Sequence, residues 1–129
     1  MNIIRVSVHG VLDYLVGALL ILLPWLAGFS DSGRATGVCI VLGVLTLAYS
    51  LLTDYPLGIF RVMPFSLHLG LDLVGGLLLL VSPYLLDFAD RVSWPHMFLG
   101  ASELLVVALS PWRSVLKPGI RSSGTLSHP

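Results

Sequence analysis

The strongest constraint on the fold of this chain is a set of four apolar runs separated by short polar segments. Each run holds about 18 to 24 residues, and a helix needs about 17 to 25 apolar residues to cross the hydrocarbon core of a bilayer. The runs cover residues 6–29, 36–53, 65–86 and 95–112. The chain is 56% hydrophobic and only 11% charged, a composition that excludes an ordinary soluble domain. The sequence therefore predicts four membrane-spanning helices.

The polar connections between these runs are short, at residues 30–35, 54–64 and 87–94. Short connections between antiparallel spans favour an up-down-up-down four-helix bundle, so the predicted fold is an all-α membrane protein. We expect a single transmembrane domain over residues 1–112. The polar residues 113–129 are expected to form a flexible cytoplasmic tail.

The positive charges predict the orientation of the spans. The amino-terminal side carries Arg5, Arg61, Arg113, Lys117 and Arg121, and the other side carries Arg34 and Arg91. By the positive-inside rule, five cations against two place both termini in the cytoplasm. Seven Lys and Arg balance seven Asp and Glu, so we expect no nucleic-acid partner.

An internal repeat divides the chain into two halves, at about residues 6–53 and 65–112. A shift of 59 residues aligns Ser7 with Ser66, His9 with His68, Asp13 with Asp72, Gly17 with Gly76 and Pro24 with Pro83. A shift of 57 aligns the second helices, with Gly43 on Gly100, Thr46 on Glu103 and Thr53 on Ser110. His, Asp and Pro are rare in membrane spans, so their coincidence indicates duplication. Each half holds two spans, which predicts a pseudo-twofold axis along the membrane normal.

The repeated unit resembles the SPW-repeat family of small bacterial membrane proteins, whose motif is Ser-Pro-Trp near the outer end of the first of two helices. The first copy here reads Leu23-Pro24-Trp25 and the second reads Ser82-Pro83-Tyr84. A third tripeptide, Ser110-Pro111-Trp112, lies where the repeat does not place the motif. The resemblance implies a four-span protein of the bacterial inner membrane and no established activity.

Two histidine–aspartate pairs form the most unusual polar feature of the spans. In the first and third runs, His9 precedes Asp13 and His68 precedes Asp72 by four residues, so each pair lies on one helix face. A charged side chain exposed to lipid costs several kcal/mol, so both faces should point into the bundle. At about 1.5 Å per residue, Asp13 and Glu103 lie at similar depth. We therefore predict a buried His/Asp/Glu cluster in the cytoplasmic half.

Three interpretations of this cluster remain open. In the first, each His pairs with its own Asp, Glu103 is neutral or bonded to Ser102 or Thr46, and the network only sets helix register. In the second, the cluster binds or transports a transition-metal ion or a proton. The candidate metal ligands are His9, Asp13, His68, Asp72 and Glu103. In the third, His9 and His68 ligate one haem between them. The identity of any cofactor stays unknown.

The remaining residues indicate no catalytic chemistry. The chain has no Ser-His-Asp, Walker or GxGxxG pattern, so we expect a non-enzymatic membrane scaffold or binding module rather than an enzyme. His96 begins the fourth run and is expected to be solvated, while Cys39 is expected to behave as a small apolar residue. Besides the lipid bilayer, we expect the partner to be a second copy of the chain or a larger membrane complex.

Overall fold

The computed structural model describes residues 3–112, which form four α-helices and no strand. The helices are α1 (Val6–Leu26), α2 (Gly33–Leu52), α3 (Phe65–Leu85) and α4 (Trp94–Leu109). Helix α1 packs along α2 and α3 packs along α4, and the two hairpins also meet between α2 and α3. The predicted all-α bundle of two helical hairpins is therefore confirmed. The tail predicted at 113–129 lies outside the described residues.

Three of the helices are long and apolar enough to cross a membrane, and α4 is shorter. Helices α1, α2 and α3 contain 20 or 21 residues each, whereas α4 contains 16. At about 1.5 Å per residue, α4 is about 24 Å long, less than the about 30 Å of a hydrocarbon core. The run predicted to continue to residue 112 stops early because Ser110 precedes Pro111 and adopts extended backbone angles. Three to four apolar helices thus indicate a membrane-spanning protein.

The first helix of each hairpin ends in the same way. The residue after the C-cap has a positive φ, 76° at Gly28 and 55° at Asp87. The next residue donates its backbone N–H to the carbonyl of the helix proline, as in a Schellman cap. These bonds are Phe29 to Pro24 at 2.8 Å and Phe88 to Pro83 at 2.9 Å. Both phenylalanine side chains are thereby directed into the apolar core.

Each hairpin crosses at a pair of glycines. A Cβ atom added at Gly43 would lie 2.8 Å from the carbonyl oxygen of Gly17, and one added at Gly100 would lie 2.8 Å from that of Gly76. The backbones of α1 and α2, and of α3 and α4, are therefore in direct contact at equivalent points. Small residues at helix crossings allow this close approach in membranes.

Two apolar clusters occupy different ends of the bundle. The larger one contains Leu20, Leu79, Phe29, Phe88 and Cys39, near the end at which α1 and α3 terminate. The smaller one contains Tyr55, Phe65 and Leu69. Because α1 and α3 begin near this smaller cluster, it lies beside their first turns, where the repeated histidines are found.

Candidate functional site

Four side chains of α1 and α3 converge in the interior. His9 and His68 have no exposed surface, and Asp13 and Asp72 are only 3% and 1% exposed. One candidate ligand atom from each of the four lies within 4.8 Å of all the others. Since each histidine lies one helical turn from its aspartate, both side chains share one face of their helix. The two faces meet inside the bundle, and we call these four residues the His/Asp site.

Each histidine contacts both carboxylates through Nε2. The His9 Nε2 atom lies 2.8 Å from Asp72 Oδ2 and 3.2 Å from Asp13 Oδ1. The His68 Nε2 atom lies 2.9 Å from Asp13 Oδ2 and 3.1 Å from Asp72 Oδ2. The shorter contact of each histidine is therefore with the aspartate of the other repeat. The site joins the two hairpins, whereas the first interpretation from sequence paired each His with its own Asp.

The other nitrogen of each imidazole is held by a hydroxyl group. His9 Nδ1 lies 2.7 Å from Ser110 Oγ, and His68 Nδ1 lies 2.7 Å from Thr53 Oγ1. Each hydroxyl donates its single proton to the carbonyl oxygen four residues earlier in its own helix, at 2.6 Å in both cases. The hydroxyl must then accept a hydrogen bond from Nδ1–H. A neutral imidazole in this arrangement carries its lone pair on Nε2, whereas a protonated His9 donates from Nε2 to Asp72 Oδ2 at 2.8 Å.

Two phenols complete the surroundings of the aspartates. Tyr49 donates a 2.5 Å hydrogen bond to Asp72 Oδ1, and Tyr55 donates a 3.1 Å hydrogen bond to Asp13 Oδ2. Tyr55 lies in the connection between α2 and α3, where burial raises its pKa and keeps the phenol protonated. Both tyrosines therefore act as donors to the buried carboxylates.

Sequence reasoning did not assign these four supporting residues to the site. The hydroxyl groups had a usable signal, because Thr53 and Ser110 occupy the same place in the two repeats and lie at the ends of α2 and α4. The repeat gives no such signal for the tyrosines, because it aligns Tyr49 with Val106 and Tyr55 with Trp112.

Glu103, a candidate ligand from sequence, lies outside the His/Asp site. Its side chain is half-buried, and its Cβ and Cγ atoms would each lie 3.3 Å from a Cβ atom added at Gly76. No hydrogen bond or ion pair joins its carboxyl group to another described residue. The expected partners are engaged elsewhere, since Ser102 Oγ donates to the Phe98 carbonyl and Thr46 Oγ1 lies 3.4 Å from Tyr49 Oη. Glu103 instead lines a cavity that also contacts Asp72.

The site has the dimensions of a small ion rather than of a tetrapyrrole. The His9 and His68 rings meet edge to face, with their centroids 5.4 Å apart. Both Nε2 atoms already face the carboxylates of Asp13 and Asp72, so no slot for a macrocycle remains between the rings. The geometry therefore gives the haem hypothesis no support.

His96 is buried, so the expectation of a solvated helix-end residue is wrong. It has no exposed surface, and its Nε2 donates a 3.0 Å hydrogen bond to the Ala35 carbonyl. The ring packs against Phe29 and Phe88 at centroid distances of 5.2 and 4.8 Å. Cys39 Sγ lies 3.3 Å from the same Nε2 atom. The shift of 57 that relates the second helices also relates Cys39 to His96, so these two equivalent positions contact each other.

The fold and the site define a class of protein: a small helical membrane bundle of two repeated hairpins, with histidines and aspartates buried where the hairpins meet. The family model for the SPW repeat domain matches residues 7–113. Because this match covers most of the chain, the protein belongs to the SPW repeat family, which confirms the resemblance seen in the sequence. Comparisons with curated proteins and with solved structures gave no match.

Proposed function

We propose that this protein is a non-enzymatic binding module of the bacterial inner membrane that holds one divalent transition-metal ion at the His/Asp site. Two imidazole nitrogens and two carboxylate oxygens are a ligand set that suits Zn²⁺ and related ions. Two ionised aspartates and two neutral histidines carry a charge of about −2, which one divalent ion neutralises. Such compensation is needed because charge is costly in a low-dielectric interior.

The observation that carries this proposal is the state of His68 Nε2. This atom is buried and makes no hydrogen bond, although two carboxylate oxygens lie within 3.1 Å of it. An N–H at this position has no assigned hydrogen bond to either oxygen. A lone pair directed at an ion among the four groups would instead be satisfied, while Nδ1 keeps its bond to Thr53. Metal-binding histidines commonly donate their second nitrogen to an outer partner in this way.

The spacing of the four groups also suits a tetrahedral ion. Zinc lies about 2.0 to 2.1 Å from nitrogen and oxygen ligands, so neighbouring ligand atoms in a tetrahedron are about 3.3 Å apart. The nitrogen–oxygen distances in the site are 2.8, 2.9, 3.1 and 3.2 Å. These contacts would lengthen by a few tenths of an ångström on binding, and one ligand atom from each residue already lies within 4.8 Å of the other three. Four protein ligands also complete the coordination, which favours retention of the ion over catalysis.

We also propose that both termini lie in the cytoplasm, which would place the His/Asp site in the cytoplasmic half. The site lies at the end where α1 and α3 begin, together with Arg5 and Arg61. At the opposite end, Arg91 pairs with Asp31 and holds the pKa of that carboxyl below its usual range. A carboxyl-terminal fusion to a fluorescent protein should be bright, and one to alkaline phosphatase should be inactive. The reverse pattern would refute this orientation.

The metal proposal is tested by elemental analysis of the full chain purified in detergent, stripped with a chelator and dialysed against Zn²⁺. We expect one zinc per chain, and Co²⁺ in its place should give the intense visible bands of a tetrahedral complex. His68→Ala and Asp72→Asn should each lose the metal. The exposed Asp90→Asn has the same change of charge and should retain it.

A second candidate is a purely structural role, in which both histidines are protonated and pair with both aspartates. The short contacts between repeats, 2.8 Å for His9 with Asp72 and 2.9 Å for His68 with Asp13, favour it. In that case the wild type would bind no stoichiometric metal, and Asp72→Asn would lower the melting temperature alone. That result would overturn the metal proposal and support a scaffold.

A further inference from the structure

A cavity of about 400 Å³ opens between α2 and α3. Its rim consists of aliphatic side chains that are exposed on the outer surface of these two helices. The rim residues are Leu45, Leu71, Val74 and Leu78, with exposed fractions of 51, 37, 55 and 45%. In a bilayer, this surface faces the acyl chains, so the cavity opens sideways into lipid rather than toward water.

The inner wall of the cavity carries four polar side chains, and only one of them lacks a partner. Tyr49 and Asp72 are bonded to each other, and Thr46 lies within reach of the Tyr49 hydroxyl. Glu103 enters the cavity from α4 and makes no hydrogen bond or ion pair with a described residue. A carboxylate in an apolar membrane cavity requires a compensating positive charge or a proton.

We propose that this cavity binds a lipophilic organic cation, whose positive charge pairs with Glu103 and whose apolar groups fill the space between α2 and α3. The volume lies within the range of about 300 to 1,000 Å³ that is typical of small-molecule sites. A hydrated inorganic ion would find few ligands on these walls and no aqueous entrance. A lipid acyl chain would fit the walls only with a proton on Glu103, because it brings no positive charge.

The cavity with its glutamate lies on one side of the bundle. The repeat places Thr46 where the second hairpin has Glu103, so the acid occurs once, and both residues line this one cavity. Asp72 belongs to both sites, because its Oδ1 atom accepts the Tyr49 hydrogen bond and its Oδ2 atom faces the histidines, whereas Glu103 belongs to the cavity alone. This proposal therefore does not rest on metal binding, and the two can be tested separately.

Two glycines of α3 provide a matched pair of variants for the test. A Cβ atom added at Gly75 or at Gly70 would meet nothing within 4 Å, so both positions accept a Cβ without a clash. Gly75 lines the cavity and Gly70 does not. Gly75→Leu should therefore fill the cavity while leaving its charge unchanged, and Gly70→Leu is the control.

The experiment is equilibrium dialysis of tetraphenylphosphonium against the full chain in detergent, with tetraphenylborate as an anion of the same shape. We expect saturable binding of one cation per chain and no saturable binding of the anion. Glu103→Gln should weaken cation binding by at least about tenfold. Gly75→Leu should weaken it to a similar extent, and Gly70→Leu should not change it.

Equal binding of the two ions, or unchanged cation affinity in Glu103→Gln, would show partitioning into an apolar space and overturn the proposal. If Glu103→Gln does not fold, unchanged affinity in Gly75→Leu would overturn it as well. Zinc content measured on the same Glu103→Gln sample should remain at the wild-type value. Loss of cation binding with zinc retained would therefore separate this proposal from the metal site.

Discussion

The two hairpins share the residues that build the bundle and differ in residues that surround its polar groups. Both carry a His–Asp pair, a hydroxyl that holds the imidazole, and a glycine crossing. They differ at several other aligned positions, some beside these groups and some at the opposite end of the bundle. These pairs are Thr46 and Glu103, Tyr49 and Val106, Tyr55 and Trp112, Cys39 and His96, and Gly28 and Asp87. The shared residues are those that the fold requires, and the residues that differ make the two sides of the interior distinct.

The largest effect on stability is expected at the glycine crossings, where the hairpins are alike. A Cβ atom at Gly100 would lie 2.6 Å from the backbone nitrogen of Leu80, which cannot rotate away. Gly100→Ala should therefore lower the free energy of unfolding by about 1 to 3 kcal/mol. Gly43→Ala should have a similar effect, because its Cβ would lie 2.8 Å from the Gly17 carbonyl oxygen. Thermal unfolding in detergent, followed by circular dichroism, measures both.

Gly17→Ala is the control for this prediction. Its Cβ would lie 2.7 and 2.9 Å from Leu47 Cδ2 and Cγ, atoms of a side chain that can move, and 3.3 Å from the Gly43 carbonyl oxygen, a looser backbone contact than at Gly100. We expect a loss below about 1 kcal/mol. If Gly17→Ala were as harmful as Gly100→Ala, backbone contact would not explain the crossings.

The tyrosines test how unequal the two halves of the His/Asp site are. Tyr49→Phe removes the 2.5 Å hydrogen bond to Asp72, and Tyr55→Phe removes the 3.1 Å hydrogen bond to Asp13. Each change leaves a buried carboxylate with one donor fewer, which should cost about 1 to 3 kcal/mol. We expect the larger loss for Tyr49→Phe, because its bond is shorter. Zinc affinity, measured by titration calorimetry, should fall by about tenfold in both variants.

Tyr84→Phe is the matched control, because Tyr84 is 68% exposed and lies far from the site along α3. It should change neither the melting temperature nor the zinc affinity. Equal effects of Tyr49→Phe and Tyr55→Phe would show that the two hydrogen bonds contribute equally to stability despite their different lengths.

The sequence predicted the features that depend on residue spacing within one helix. The spacing of four residues places His9 and Asp13 on one helix face, and the repeat transfers that result to His68 and Asp72. The lipid cost of charge then directs both faces inward. The pairing of each histidine with the aspartate of the other repeat depends on how the two hairpins meet, and helix periodicity alone does not specify it.

The same distinction explains the assignments that differ from the structure. Counting residues along a helix gives the depth of Glu103 and not the side of the bundle on which it lies, so equal depth with Asp13 did not bring the two into one site. His96 follows a proline at a helix start, which locally resembles an exposed end. Its burial depends on Phe29 and Phe88, two residues that the capped ends of α1 and α3 direct inward.

The smallest predicted effect concerns the helix caps, where Gly28 and Asp87 adopt the same left-handed backbone. A side chain in this conformation is unfavourable by about 1 kcal/mol, and aspartate is among the residues that tolerate it best. Asp87→Gly should therefore raise the free energy of unfolding by about 0.5 to 1 kcal/mol, and Gly28→Ala should lower it by about 1 kcal/mol. No atom lies within 4 Å of a Cβ added at Gly28, so this loss would arise from the backbone alone.

Asp87→Gly also removes the contact between the Asp87 carboxylate and the Arg34 guanidinium, which lie 3.8 Å apart. Both groups are exposed, so this ion pair contributes little to stability. Asp87→Asn isolates that contribution, because asparagine also tolerates a positive φ and lacks the charge. Chemical denaturation should give nearly equal stabilities for the wild type and Asp87→Asn. If Asp87→Asn were instead stabilised as much as Asp87→Gly, the charge of Asp87 rather than its backbone angle would distinguish the two caps, because both substitutions remove that charge.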